Sequence, residues 1–380
     1  MRLNRFFLVF IFNIFVCCMQ SQSQLSIEQA IDIGLKNNYD LSIVRNNSAI
    51  SANNSTPGNA GMLPKVDLQA SVGLSDNATK QEFSSGLKVD KAGVQSNNII
   101  AGVYMTWTLF DGFKMFASYQ RLKELEAMGM LSSKIQIENT LSLIIVGYYN
   151  IVRQKQLITG LSENIKISEE RLKIAQTKMN IGSGSKLDVL QAKVDMNAQT
   201  SNLYRQRTLL MQLKIDLNQL LARNAEEEFD VADSVPFEVK LKFDDLKNEA
   251  GTANSDLIYA QHNISLSNHV LRETRSQLFP TLNFNANYLF SRSENQAGFA
   301  LLNQNLGLNL GLTARWTIFN GLNTNNQIKN GRLYRENAEY ELKSTKQRID
   351  HALTASYRNY LDDENILLLE QENVDRKSVV

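Results

Sequence analysis

Residues 107–112 read Trp-Thr-Leu-Phe-Asp-Gly, and residues 316–321 read Trp-Thr-Ile-Phe-Asn-Gly. The copies stand 209 positions apart (316 − 107). Tyr148 and Asn150 recur at that spacing as Tyr357 and Asn359. Upstream, Leu63-Pro-Lys-Val-Asp-Leu-Gln-Ala returns as Phe279-Pro-Thr-Leu-Asn-Phe-Asn-Ala, 216 positions on (279 − 63). The difference fits a shorter strand-connecting loop in the second copy. Three matches in one order imply a structural unit written twice.

Each copy reads helix, strand, loop, strand, long helix. Alternation of apolar and polar residues marks a two-faced strand. It predicts strands over about 63–74 and 99–110, then 282–290 and 306–318. In the last, Leu306, Leu308, Leu310, Leu312, Ala314, Trp316 and Ile318 alternate with Gly307, Asn309, Gly311, Thr313, Arg315 and Thr317. A soluble sandwich would show the same period. Strands of ~9–12 residues also suit a tilted bilayer crossing. Trp107 and Trp316 fall at equivalent strand ends, where an aromatic girdle lies. Segments 75–98 and 291–305 are polar and longer than tight hairpins, like external barrel loops. The polar strand face makes Lys65, Asp67 and Arg315 candidates to line a pore. Four strands cannot close a membrane barrel, which needs at least ~8. A barrel shared by several copies around a rotation axis is expected.

No proline interrupts residues 113–180. There Ile137, Leu141, Ile144, Tyr148, Ile151, Ile158, Leu161, Ile165, Leu172, Ala175 and Met179 advance in threes and fours, with Lys155 and Ser168 filling the gaps. This is a coiled-coil seam on a rod of roughly 100 Å. Asn180-Ile-Gly-Ser-Gly-Ser185 ends the rod, with Ser183 or Ser185 as candidate cap of the next helix, 186–222. That helix carries two seams. One is Leu187, Leu190, Val194, Tyr204, Met211 and Ile215; the other is Leu203, Leu210, Leu213, Leu217 and Leu220. Two seams call for two neighbours, as in a ring of helices. An N-terminal helix over 27–44 has its counterpart near 244–277. The division is then 1–23 export signal, 24–223 first repeat, 224–243 connecting segment and 244–380 second repeat.

A net charge of +1 on 380 residues gives no basic field for nucleic acid. Arg2 and Arg5, the apolar run Phe6–Val16, then Ser21 and Ser23 predict cleavage before Gln24. Cys17 admits lipidation, though Val16 departs from a lipobox. Both cysteines lie in that segment, so no disulfide staples the mature chain. Past the signal no apolar run approaches the ~20 residues of a membrane helix, so any crossing must be a β-barrel.

Three motifs carry a family resemblance: Leu25-Ser-Ile-Glu-Gln-Ala-Ile31 with Asn37-Asn38; the corners Trp107, Phe110, Gly112 and Trp316, Phe319, Gly321; and Lys178-Met-Asn-Ile-Gly182 followed by Leu187-Asp-Val-Leu-Gln-Ala192. In this order, and duplicated, they resemble the TolC family of outer-membrane efflux and export channels. The resemblance implies an α+β homotrimer with a shared twelve-stranded membrane β-barrel and a periplasmic α-helical barrel. It implies a Gram-negative-type outer membrane with its lipid as surroundings, and a passive channel for small molecules or polypeptides. A periplasmic adaptor (membrane fusion) protein and an inner-membrane transporter would be its partners in tripartite efflux or type I secretion, with no cofactor. Adaptor docking would map onto Asn180, Ile181, Gly182 and Ser183, for which a plain turn is the alternative. One departure stands out. Val380 aligns with position 171 (380 − 209), so the second copy is expected to lack its glycine turn and final helix. The family's acidic ring belongs to that second turn, leaving Asp188 as a first-copy counterpart and possible pore-facing residue.

Chemistry is sparse. His262, His269 and His351 read as ordinary helix residues, and Gly182-Ser-Gly184 as a turn rather than a phosphate loop. No Gly-X-Ser-X-Gly elbow occurs. A non-enzymatic chain is expected, and the rival is a secreted coiled-coil structural or adhesive protein with a soluble β head.

Overall fold

The computed structural model describes residues 24–232, 241–297 and 300–378. The expected signal 1–23, with Cys17, lies outside the described residues, as does the 233–240 part of the connecting segment. The described residues fall into two compact units, bounded as Met1–Asn46 with Ser133–Leu241 and as Asn47–Ser132 with Lys242–Val380.

In the first unit, β1 (Gln24–Leu25) leads into α1 (Ile27–Asn37). Ser26 caps α1 through a reciprocal pair with Gln29. The helix expected over 27–44 is in fact two. Asn38 is extended (ψ 126°), and its amide oxygen caps α2 (Tyr39–Asn54) by accepting from the Leu41 N–H at 3.1 Å. The long helix α3 (Lys114–Asn180), of which the part from Ser133 on lies in this unit, and the returning α4 (Lys186–Leu220) supply the core. Ile144, Tyr148, Ile151 and Val152 meet Leu217, Leu221, Phe229 and Val231 there, all nearly water-free. Fully burying side chains of this size contributes about 1.5–3 kcal/mol each. The seam read from sequence is the covered face of α3, from Ile137 through Ala175; Met179, its last member, is exposed. Its polar members have partners. Ser168 donates to Gln199 Oε1 at 3.0 Å, and Lys155 reaches Asp230 at 2.7 Å. Asp230 begins β4 (Asp230–Val231), which pairs parallel with β1. The buried Tyr148 hydroxyl ties that pair together, donating to Leu25 O at 2.9 Å and accepting from the Ala232 N–H at 3.3 Å.

In the second unit, α5 (Phe243–Ala253) and α6 (Ser255–Ser276) again replace one expected helix, 244–277. Asn254 breaks it and caps α6 at Leu257. Asn38 and Asn254 are 216 apart (254 − 38), the spacing of the strand repeat. One antiparallel sheet follows the order β2 (Lys65–Glu82), β3 (Lys88–Phe110), β5 (Thr281–Asn295), β6 (Leu302–Arg315), and α7 (Asn323–Ser378) completes the unit.

The strand boundaries differ from expectation. Segment 75–98 is not an open loop but the far half of a hairpin, paired from Ser75↔Ser96 to Glu82↔Lys88. Its side chains are mostly polar on both faces, so alternation gave no signal. Cross-strand charges hold it instead, Lys80–Asp90 at 3.0 Å and Lys88–Glu82 at 2.9 Å. In the second hairpin, pairing likewise reaches Glu294↔Leu302. At its other end β6 stops at Arg315, short of the expected 318, as the chain turns into the corner.

Candidate functional site

Register sorts the sheet into two faces. Val66, Met105, Ala286 and Leu310 form one row across all four strands; Leu68, Val103, Tyr288 and Leu308 form the next; Ala70, Ala101, Phe290 and Leu306 a third. These apolar rows are bare: Leu68 is 81% exposed, and Leu306, Leu308, Leu310 and Leu312 are all above 60%. Such a patch far exceeds what a soluble monomer leaves uncovered. The opposite face is built of amides and hydroxyls. Asn309 donates to Asn287 at 3.0 Å, Asn285 to Thr313 at 3.2 Å, and Thr108 to Asn283 at 3.0 Å. Lys65 and Asp67 stand on this face as an ion pair of 3.0 Å at the β2 edge. Arg315 stands on it at the β6 edge, opposite Thr281, so the protomer does not bring the three together. Among the described residues, neither β2 nor β6 has a further strand on its outer edge.

The two corners share one construction. The Trp107 indole N–H donates to Met62 O at 2.9 Å, and that of Trp316 to Leu278 O at 3.1 Å. Gly112 and Gly321 both take φ of +70°, and the residues after them, Phe113 and Leu322, are also left-handed at +67° and +63°. A Cβ on Gly112 would lie 2.4 Å from Ser276 O, so glycine is required there twice over. The Asp or Asn of the repeated motif starts the helix. Asp111 accepts from the Met115 N–H at 2.9 Å, while Asn320 holds Thr324 through its hydroxyl at 2.7 Å. Phe110 meets Phe113 edge-on at 5.3 Å, and Phe319 is 76% exposed.

The turn at 180–185 is a self-sufficient tip. Gly182, at φ +75°, donates its N–H to Met179 O and Ser183 donates to Lys178 O, which together close the end of α3. Ser185 caps α4 reciprocally with Asp188, at 2.9 and 3.2 Å. The Ser185 backbone N–H, with its hydroxyl, holds the Asp188 carboxyl below its ordinary value. The structure thus commits Asp188 to the cap. Asn180, Ile181, Gly182 and Ser183 are all exposed, and Ile181 has no cover.

Of the two seams on α4, Leu203, Leu210, Leu213, Leu217 and Leu220 face the protomer's own interior. Leu187, Leu190, Val194, Tyr204, Met211 and Ile215 are bare, from 44% to 72% exposed. Sequence reading missed the Lys155–Asp230 clamp. Burial pushes the Asp230 carboxyl up, but Lys155, the Val231 N–H and the Lys214 charge outweigh it and leave the group depressed. It also missed Glu124, whose carboxylate lies 2.6 Å from His262 and 4.0 Å from His269. Among the described residues no group of His, Cys, Asp and Glu is placed to hold a metal.

Two hairpins side by side in one four-stranded sheet, bare on one face and joined to coiled-coil helices with a seam to spare, are the fold of outer-membrane channel subunits. VceC of Vibrio cholerae superposes with a TM-score of 0.69 at 13% identity, covering 86% of this chain and 76% of its own. The open state of the Neisseria gonorrhoeae MtrE channel gives 0.68 at 15%, covering 92% and 77%. In sequence, the outer membrane protein TolC of Escherichia coli (strain K12) is 22% identical over 294 residues, which are 73% of this chain and 58% of that protein. The chain therefore spans little more than half of that relative's length. The model of the family described as outer membrane efflux protein matches residues 30–223, and the chain belongs to that family. This is a family of transport channels rather than enzymes, and it places the chain in the outer membrane.

Proposed function

We propose that the chain is the protomer of a passive trimeric duct. Its strands would join those of two other copies in a twelve-stranded barrel, and its helices would form part of a periplasmic tunnel. An adaptor would dock on Asn180–Ser183, and an inner-membrane transporter would drive small molecules or polypeptides through. The observation that carries this reading is what the protomer leaves unsatisfied: one apolar sheet face, two open strand edges and a second apolar seam on α4. Lipid would cover the first, and identical neighbours the other two. Lys65, Asp67 and Arg315 would then face the lumen. A soluble β head would have to leave the leucine rows in water, which disfavours the adhesive reading.

Fractionation tests this. The chain is expected in outer membranes, resisting an alkaline carbonate wash and released by detergent. Recovery from the periplasm or cell surface without detergent would overturn the proposal.

A further inference from the structure

The helix ends of the two corners carry a feature that a duct does not require. Phe110, Phe113 and Phe116 stack in sequence, at 5.3 and 6.3 Å, so the aromatic surface runs from the apolar sheet face onto the helices. The left-handed residues after each glycine turn Phe113 and Leu322 outward, 62% and 57% exposed. Such strain persists where it serves a site.

Two cavities open beside this surface. One, of about 550 Å³, is lined by Leu278, Phe279 and Leu322 with Arg275, Lys329 and Arg332. The other, of about 290 Å³, is lined by Phe113, Phe116 and Phe279 with Arg272 and Arg275. Arg275 and Phe279 belong to both. Neither cavity has an acidic residue in its lining. Among the described residues, none of these four cations has a carboxylate partner, whereas Arg121 on the adjoining α3 pairs with Glu273 at 2.8 Å. Four like charges gathered on two helices repel one another unless an anion joins them.

We propose that this corner binds an anionic phospholipid of the adjoining leaflet, with its phosphate between Arg275 and Arg332 and its acyl chains over Phe279 and Leu322. Cations serve any phosphate, but the exposed aromatic collar continuous with the leucine rows specifies one that carries hydrocarbon. The inference rests on the membrane reading of the sheet. It concerns one protomer only, so it does not depend on trimer formation.

The test is native mass spectrometry of the full chain in neutral detergent, titrated with dioleoyl phosphatidylglycerol, dioleoyl phosphatidylcholine or inorganic phosphate. Phosphatidylglycerol should be retained over phosphatidylcholine, and equimolar phosphate should not displace it. Arg275→Gln with Arg332→Gln should weaken retention about ten- to thirty-fold. Arg275→Lys with Arg332→Lys should keep it, and decides the case if the glutamine pair does not fold. Equal retention of both lipids, displacement by phosphate, an unaffected glutamine pair, or a folded lysine pair that no longer prefers phosphatidylglycerol would each overturn the site. Recovery of the chain without detergent, scored before lipid is added, would instead overturn the membrane reading.

Discussion

Leu310→Arg separates a lipid-facing sheet from a water-facing one. Leu310 lies near the middle of the apolar rows, paired with Ala286 and 63% exposed. If lipid covers that face, arginine near mid-bilayer costs about 2–4 kcal/mol per copy. Three copies give roughly 6–12 kcal/mol, comparable with the whole stability of an ordinary fold. Asn309→Arg is the matched control, one residue away on the amide face. Beside a water-filled lumen it should stay within about 0.5 kcal/mol of neutral. The assay is the amount of each variant in washed outer membranes, followed by urea unfolding of whatever inserts. Leu310→Arg should be depleted and Asn309→Arg should match the parent. Equal behaviour of the two variants, or full insertion of Leu310→Arg, would refute the facing derived from register.

Gly182→Pro should leave membrane insertion intact but abolish export in cells, because proline removes the N–H bonded to Met179 O and forbids φ +75°; normal export would count against the tip as a docking site. Tyr148→Phe strips the β1–β4 pair of its hydroxyl bridge and should cost about 1–2 kcal/mol in denaturant unfolding. The Asp230 carboxyl titrates below its ordinary value when folded, so the clamp's contribution is present above the ordinary carboxylate range and is lost as pH falls through the folded value. Acid unfolding of Lys155→Met should accordingly lack part of the parent's loss of stability in acid, and an identical acid profile would contradict the clamp. Ala222 ends α4 at φ +52°, so Ala222→Gly should stabilise by about 1 kcal/mol, read as a raised midpoint of thermal unfolding.

Much of this was legible where periodicity speaks. The leucine rows, the seam from Ile137 to Ala175 and the paired corners follow from spacing, because a buried or lipid-covered face must repeat with its element. The outer halves of the hairpins did not, since residues such as Ser75, Asn77, Gln95 and Asn97 are polar on both faces and leave only cross-strand pairing to define a strand. The breaks at Asn38 and Asn254 escaped a reading based on apolar period. A single asparagine that caps a helix interrupts the backbone without disturbing the pattern, and only its recurrence 216 residues on could have pointed to it. At the site, the sequence offers Asp188 as a possible pore-facing acid and does not show that Ser185 uses it in a cap. Lys155 looked like a blemish in the seam because Asp230 lies 75 residues away in the chain. Both are long-range or reciprocal bonds, which spacing alone does not encode.

The proposed duct is built from three copies of this chain. The native mass of the detergent-extracted chain tests it most directly. A species of three 42.9 kDa protomers, less the export signal, is the expected result. A monomer that retains its secondary structure in the same detergent would contradict the shared barrel.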